Sequence, residues 1–150
     1  MLKYYHPADV NQFKFRDKEE IQNILYRDPR YLDDLPQIAQ GNVYTIWSDN
    51  EPVAICGWTV SVYDNASLFM SASQNLKNRF NKEIMLDFRS VAEQPKALYK
   101  RTECVVAENN INKRFIEFLG FHQECKLKNY DFDGSDMYLY VYVRKNDVQR

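Results

Sequence analysis

Glycine, cysteine and histidine are all scarce in this chain. It contains four glycines, three cysteines and two histidines, so its loops must be short or built from Asn, Asp and Pro. The number of cysteines is odd, and no two of them form a CxxC pair; they are Cys56, Cys104 and Cys125. This argues against a disulfide framework and indicates reduced thiols in a reducing compartment. Because neither His6 nor His122 stands at ligand spacing from them, we expect no metal site.

Long apolar runs and an excess of one charge are also missing. No apolar stretch approaches the roughly 20 residues of a membrane-spanning helix, and from the polar and aromatic first residues we expect no signal peptide. Lys and Arg number 20 against 21 Asp and Glu, a net charge of -1, which offers no general field for nucleic acid or an anionic membrane. We therefore predict a soluble, cytoplasmic protein with neither as a partner.

At 150 residues the chain predicts one domain, residues 1–150, large enough to bury a core of its own. In the first half, Leu2–Tyr5 is a strand and Pro7–Val10 a turn or short helix. Asp17–Tyr26 has helical spacing, and a second helix begins with Asp28 as N-cap and Pro29 at its first position. Gly41 ends that second helix, and Pro36 kinks or splits it.

A hairpin and a long helix follow. Val43–Ser48 and Val53–Val62 are predicted strands joined by the turn cluster Asp49–Pro52, and Gly57 marks a bulge or a close backbone approach. Ser67–Met70 is a short strand. Ser71 and Gln74 have the spacing of a capping box, which opens the longest helix, to about Glu93, with Pro95 ending it. Its predicted buried stripe is Leu76, Phe80, Ile84, Phe88 and Val91.

The most informative stretch begins in the strand Leu98–Ala107. Asn109 is a good N-cap for the next helix, which presents an apolar face and runs to Leu119. Gly120 allows the left-handed turn that stops a helix, with Phe121 as the hydrophobic contact. Two further strands, Phe121–Phe132 and Met137–Val143, flank the turn Asp133-Gly134. In the last strand Tyr138, Tyr140 and Tyr142 share one face, which suits either cross-strand packing or a partner surface.

This order of elements predicts an α/β fold with a mixed, mostly antiparallel sheet. A parallel step joins the strands that flank the long helix. The spacing of Asn109, Gly120 and Phe121 resembles the last strand–helix–strand of the GNAT superfamily, the acetyl-CoA-dependent N-acetyltransferases. The hairpin Val43–Val60, which contains Pro52–Trp58, also looks like the second and third strands of that family. The resemblance implies a GNAT-like sheet with a splayed parallel strand pair and helices on both faces.

A second resemblance is to a phage-encoded branch of the same fold, the internal virion proteins of short-tailed phages. It is carried by Arg114-Phe115-Ile116 in the last helix and by Lys77–Arg89, interpreted as a long basic helix.

The family resemblance implies acetyl-CoA as cofactor. In the family, backbone N–H groups at the start of the long helix hold its pyrophosphate, as expected of a helix N-terminus. The matching residues here are Ser71, Ser73, Gln74 and Asn75, with Met70 at the strand that aligns the thioester. The family's loop glycines, which let the backbone approach the phosphates, are absent. A capped helix start with solvated basic residues is the alternative interpretation of this segment.

The residues that would carry catalysis are less well marked. Asn109 matches the family's asparagine, which contacts the pantetheine arm, and it can also be an N-cap. Ile116 stands where the family has a tyrosine that protonates the leaving thiolate, and Tyr99 or Tyr130 would have to replace it. Glu103 and Glu108 are the candidate general bases.

Glu103 interrupts a core-like segment, so burial would raise its pKa. The alternative is a strand carboxylate paired with Arg101 or Lys100.

Two functions follow from these residues. The first is an acyl-CoA-dependent N-acyltransferase that acts on an amine acceptor, with a degenerate pyrophosphate loop and without the tyrosine acid. The second is a non-catalytic GNAT-fold phage protein that binds a protein partner, as a virion-associated or host-directed module. The sequence predicts neither the acceptor nor the oligomeric state.

Overall fold

The structure is a computed structural model that describes residues 1–14, 30–107, 110–131 and 133–145. The predicted helix Asp17–Tyr26 and the predicted helix start at Asp28 and Pro29 lie outside these residues. No helix in the described part of the chain is long and apolar enough to cross a membrane.

The described strands follow one another in the predicted order, and helices connect some of them. A 3-10 helix, Pro7–Gln12, follows the first strand. The strands are β1 (Leu2–Tyr4), β2 (Val43–Ser48), β3 (Glu51–Val60), β4 (Ala66–Ala72), β5 (Arg101–Ala107), β6 (His122–Leu127) and β7 (Met137–Val143). The α-helices are α1 (Tyr31–Ile38), α2 (Leu76–Arg79), α3 (Lys82–Leu98) and α4 (Asn110–Phe118).

The sheet confirms the predicted fold class. Its seven strands have the order β1-β2-β3-β4-β5-β7-β6. The pairs β1–β2, β2–β3, β5–β7 and β6–β7 are antiparallel, whereas β4 and β5 are parallel and pair Ala66 with Thr102 and Ser67 with Glu103. This parallel step joins the strands on either side of the long helix α3, as predicted.

By its internal contacts the chain divides into two compact units. The first comprises Met1–Thr59 and Phe69–Val91, and the second comprises Val60–Leu68 and Ala92–Arg150. One buried cluster of the first unit joins the residues that directly follow β1, the 3-10 helix and α1 to side chains of α1, β2 and β3. Its members are Tyr5, Phe13, Leu35, Ala39, Val43 and Ile55.

The β2–β3 hairpin turns earlier than predicted. Asp49 and Asn50 form the turn with φ of 49° and 63°, the conformation that a tight two-residue hairpin needs, so β3 already begins at Glu51. Gly57 marks a close backbone approach, since a Cβ there would overlap the carbonyl oxygen of Asn42 and lie 2.9 Å from Cα of Val43. The register shift of this hairpin lies instead between Ile46 and Trp47.

The predicted start of the long helix at Ser71 is wrong. Strand β4 runs on to Ala72, and α2 is a single turn that ends where Phe80 adopts an extended backbone, with φ of −65° and ψ of 125°. Helix α3 begins at Lys82, and the side-chain oxygen of Asn81 accepts the N–H of Ile84, 2.9 Å away. Asn81, and not Ser71, is therefore the residue that caps the long helix.

The predicted end of that helix at Pro95 is also wrong. Helix α3 continues through Pro95 to Leu98, and the N–H of Tyr99 still donates to the Pro95 carbonyl at 2.9 Å. A proline inside a helix loses its own N–H donor and crowds the carbonyl four residues earlier, yet the fully buried Pro95 does not end this helix. Strand β5 consequently starts at Arg101 and not at Leu98. In the predicted stripe Ile84, Phe88 and Val91 are buried, but Phe80 is 44% exposed.

The second unit confirms the predicted helix stop. Gly120 has φ of 93°, its N–H donates to Glu117 O at 2.9 Å, and the N–H of Phe121 donates to Ile116 O at 3.2 Å. This pair of backbone hydrogen bonds is the Schellman motif. Strand β6, by contrast, ends at Leu127, five residues earlier than predicted.

Two of the three tyrosines on one face of β7 are buried, and the third, Tyr142, is partly buried. Tyr138 is 8% exposed and Tyr140 is 1% exposed. Of the two interpretations of this face, the structure therefore supports cross-strand packing and not a partner surface.

Candidate cofactor site

The predicted pyrophosphate residues do not lie at a helix start. Met70 and Ser71 belong to β4, and Ser73 is fully buried. Because the long helix begins eleven positions after Ser71, at Lys82, the converging N–H groups expected at Ser71–Asn75 are not those of its first turn.

Backbone N–H groups of this segment are already used within the protein. Ser73 donates to Val53 O at 2.9 Å, and Gln74 donates to Lys14 O at 2.7 Å. The N–H of Asn75 donates to the Ser73 hydroxyl at 3.2 Å. A phosphate at this position would have to displace these bonds, so the segment as it stands does not fit a pyrophosphate.

A polar cleft lies instead at the start of α3. Its volume is about 620 Å³, and it is open to solvent. The lining residues come from the end of β2 and the turn after it, from α2 and the residue before it, and from the break before α3. They are Ser48, Asp49, Asn75, Asn78, Arg79, Phe80 and Asn81. Ser71–Gln74 has the spacing of a capping box, but the chain caps its long helix one short helix later, at Asn81.

Arg79 is the cation of this cleft, and two carboxylates hold it. Its Nη1 lies 3.1 Å from Oδ2 of Asp49, and its Nη2 lies 2.9 Å from Oε2 of Glu51. The side-chain amide of Asn75 donates to the other carboxylate oxygen of Glu51. Ion pairs and a hydrogen bond thus join the β2–β3 hairpin to residues after β4. Asp49 and Arg79, for example, are 30 positions apart in the sequence.

The donors of the cleft fit an anionic group of a cofactor, with one condition. The Arg79 guanidinium and the asparagine side-chain amides are groups that bind phosphate oxygens. However, Asp49 occupies one edge of the guanidinium, so a phosphate must exchange with that carboxylate.

Glu103, the first candidate base, is part of an ion-pair network in the second unit. Arg101 Nε lies 2.7 Å from Glu103 Oε1, and the other two guanidinium nitrogens donate to both oxygens of Glu124 at 2.7 and 2.6 Å. The hydrogen bonds from Arg101 lower the pKa of Glu124, and those to Glu124 and Glu103 raise the pKa of Arg101. Glu103 is half-buried and paired with Arg101, which is the alternative that the sequence left open.

The remaining predicted residues contribute less to the described site. Glu108 and Asn109 lie outside the described residues. Ile116 is 2% exposed and packs in the core, so its place in α4 offers no group that could reach a ligand. Tyr130 is 59% exposed, and no contact of Tyr130 assigns it a proton-transfer role. Within the described ranges no group of His, Cys, Asp and Glu side chains could hold a metal ion.

Sequence reasoning missed Asp49, Glu51 and Asn81 as residues of the site. Asp49 lies in the hairpin turn and Glu51 begins the strand after it, and their residue types predict only the turn itself. Asn81 carried a usable pattern, because Asn before Lys82-Glu83-Ile84 is an N-cap followed by an acidic first turn.

Structural comparison places this fold among acetyltransferases. The chain matches Ard1 from Thermoplasma volcanium with a TM-score of 0.73 and 14% identity, over 97% of this chain and 98% of that one. A probable acetyltransferase from Staphylococcus epidermidis matches with a TM-score of 0.69 and 18% identity, over 97% and 99%. A GNAT superfamily phosphinothricin acetyltransferase from Sinorhizobium meliloti, crystallised with AcCoA, gives 0.71 and 10%, over 100% and 91%.

No protein-family model and no curated protein matches the chain. The structural matches establish that the chain has the GNAT acetyltransferase fold along nearly its whole length. At these identities they establish the fold alone.

Proposed function

We propose that this protein is an acyl-CoA-dependent N-acyltransferase of the GNAT type that binds the cofactor's pyrophosphate at the start of α3. The observation that carries the proposal is the cleft at Asn78, Arg79 and Asn81, in a fold that a phosphinothricin acetyltransferase uses in complex with AcCoA. Ser71, Ser73 and Gln74 then support the loop from β4 and do not themselves hold the phosphates.

The chain's own residues have the following roles in this proposal. Arg79 and the Asn78 and Asn81 amides bind the pyrophosphate, and backbone near Met70 aligns the acyl group. Glu103 or Glu108 accepts the proton of the attacking amine, and Asn109 contacts the pantetheine arm. The cofactor supplies an activated acyl thioester. The degenerate features are the missing loop glycines and Ile116 at the position of the tyrosine acid.

Isothermal titration of the full chain with acetyl-CoA tests the proposal. We expect saturable binding with a dissociation constant below about 1 mM, equivalent to about −4 kcal/mol. Asn78→Asp should weaken binding about tenfold or more, since it adds a negative charge beside the phosphates. Asn65→Asp makes the same chemical change in a turn of the second unit and should leave the affinity unchanged.

Absence of heat at millimolar acetyl-CoA would refute the acyltransferase proposal. Equal affinities of wild-type protein and Asn78→Asp would refute the placement of the pyrophosphate while leaving cofactor binding intact.

A second candidate is a non-catalytic GNAT-fold protein, such as a phage virion-associated or host-directed interaction module. The backbone N–H groups of Ser73, Gln74 and Asn75 already donate hydrogen bonds within the protein, which favours this candidate. The apolar, buried Ile116 favours it as well. Its expected outcome is no acetyl-CoA binding together with a stoichiometric complex with a protein partner in size-exclusion chromatography. Acetyl transfer to any amine, detected as release of free thiol, would contradict it.

A further inference from the structure

The two carboxylates that hold Arg79 differ sharply in their surroundings. The side chain of Asp49 is 87% exposed, whereas that of Glu51 is 26% exposed and that of Arg79 is 34% exposed. Glu51 also accepts a hydrogen bond from the Asn75 side chain. The ion pair with Glu51 is therefore shielded and supported, while the ion pair with Asp49 stands in solvent.

This difference decides which ion pair can be exchanged. An exposed ion pair contributes little, because water and salt screen it and because both side chains lose freedom. A half-buried pair with an additional hydrogen bond persists, since breaking it leaves partly desolvated groups without partners. Glu51 consequently orients the guanidinium, and Asp49 occupies an edge that faces the cleft.

The backbone fixes the position of Asp49. Its φ of 49°, followed by 63° at Asn50, places it in the tight turn between two paired strands, Val43–Ser48 and Glu51–Val60. The carboxylate thus remains beside Arg79 without a long side chain to order. It acts as an anion that the protein itself supplies to the guanidinium.

We propose that Asp49 determines which ligands the cleft accepts, by occupying the anion position on Arg79 until a more highly charged phosphate group displaces it. This inference rests on the proposed function of the cleft. A carboxylate ligand only exchanges one carboxylate on Arg79 for another, so the exchange contributes no binding free energy. A di- or polyanionic phosphate group offers more charge and several oxygens to the planar fork of donors. Asp49 lowers the affinity of every anion by the same factor, so phosphate-bearing ligands, which bind Arg79 more strongly, still occupy the cleft in competition with it, whereas carboxylates and monoanions do not.

Removal of the internal anion tests this inference directly. Titration with inorganic pyrophosphate compares wild-type protein with Asp49→Asn, which keeps a residue type suited to positive φ. We expect Asp49→Asn to bind pyrophosphate about three to ten times more tightly, because a competing and repelling charge is gone. Acetate should bind wild-type protein weakly at most, and its affinity should also rise in Asp49→Asn.

A matched control exists elsewhere in the chain. Asp64 also has positive φ, 58°, in an exposed turn, and Asp64→Asn changes net charge by the same amount. We expect no gain in pyrophosphate affinity from it. Arg79→Gln should abolish the gain that Asp49→Asn gives. If Asp49→Asn alters the thermal melting of the protein, Asp49→Gly removes the carboxylate and keeps the turn.

The outcomes separate this inference from the proposed function. Equal pyrophosphate affinity of wild-type protein and Asp49→Asn overturns the inference, as does an equal gain from Asp64→Asn or no detectable binding to Asp49→Asn. Acetyl-CoA binding that Asp49→Asn leaves unchanged overturns it while the proposed function survives. A selective pyrophosphate gain without any acetyl-CoA binding supports the role of Asp49 and refutes the acyltransferase proposal.

Discussion

Replacing Lys96 by methionine should destabilise the second unit through the end of α4. Lys96 is 6% exposed, and its ammonium group donates to the carbonyl of Leu119, the residue after the last helical position. The nitrogen also lies 5.0 Å from the Phe121 ring centroid and 4.8 Å from that of Tyr142. A cation thus caps the negative end of the helix inside an aromatic enclosure.

The magnitude follows from opposing contributions. A buried carbonyl that loses its partner costs about 1 to 3 kcal/mol, and each ammonium–ring contact adds about 0.5 to 2 kcal/mol. Against this, methionine avoids the desolvation of the ammonium group, which costs several kcal/mol. The ion pair with Glu93, whose side chain is 53% exposed, contributes about 0 to 1 kcal/mol. We expect a net loss of about 1 to 3 kcal/mol, because methionine fills the space but cannot cap the helix.

Urea unfolding followed by circular dichroism measures this loss as a lower midpoint with an unchanged slope. In a thermal melt it corresponds to a decrease of roughly 3 to 10 °C. The control is Lys113→Met, whose ammonium lies 4.3 Å from one ring, that of Tyr138, and which should cost about 1 kcal/mol or less. Equal stability of Lys96→Met and wild-type protein, or equal losses from the two variants, would show that helix capping by Lys96 has no net value.

Two further predictions concern titrating groups. Burial raises the pKa of the Cys56 and Cys104 thiols, the latter to about 12, whereas Cys125 is exposed. A thiol reagent at neutral pH should therefore label one cysteine in the native protein and three after unfolding. Rapid labelling of Cys104 in the native protein would contradict the structure. Burial and then the carboxylates Asp33 and Asp9 raise the pKa of Tyr5 from 10.0 to about 12, so its protonated form is favoured by folding. Its contribution is fully present below pH 10 and is lost as the pH rises through about 12, by about 2 to 3 kcal/mol, and a wild-type protein that loses no more stability over this range than Tyr5→Phe would refute the assignment.

The sequence predicted the strands and the late helix stop because these depend on local chemistry. Val43–Ser48 and Met137–Val143 form strands with the predicted bounds, since alternation and β-branched residues suit a half-buried sheet. Gly120 stops α4 because only its backbone adopts φ of 93° without strain.

The candidate site was predicted less well, because residues distant in sequence form it. The box at Ser71–Gln74 has the pattern of a helix start, yet pairing with β3 and the loop keeps its backbone extended, as the bond from Ser73 to Val53 shows. Asn81 took over the cap. Local propensity thus lost to sheet hydrogen bonds that sequence spacing does not reveal.

The sequence by itself determined the order of strands and helices, the absence of loop glycines and the presence of Ile116 in α4. Those features depend on residue type alone. Only the tertiary structure decided that Arg79 is held by Asp49 and Glu51 and that the cleft lies at the start of α3. The physical reason is that an ion pair and a cleft require particular distances between side chains, and folding sets those distances across 30 residues of chain.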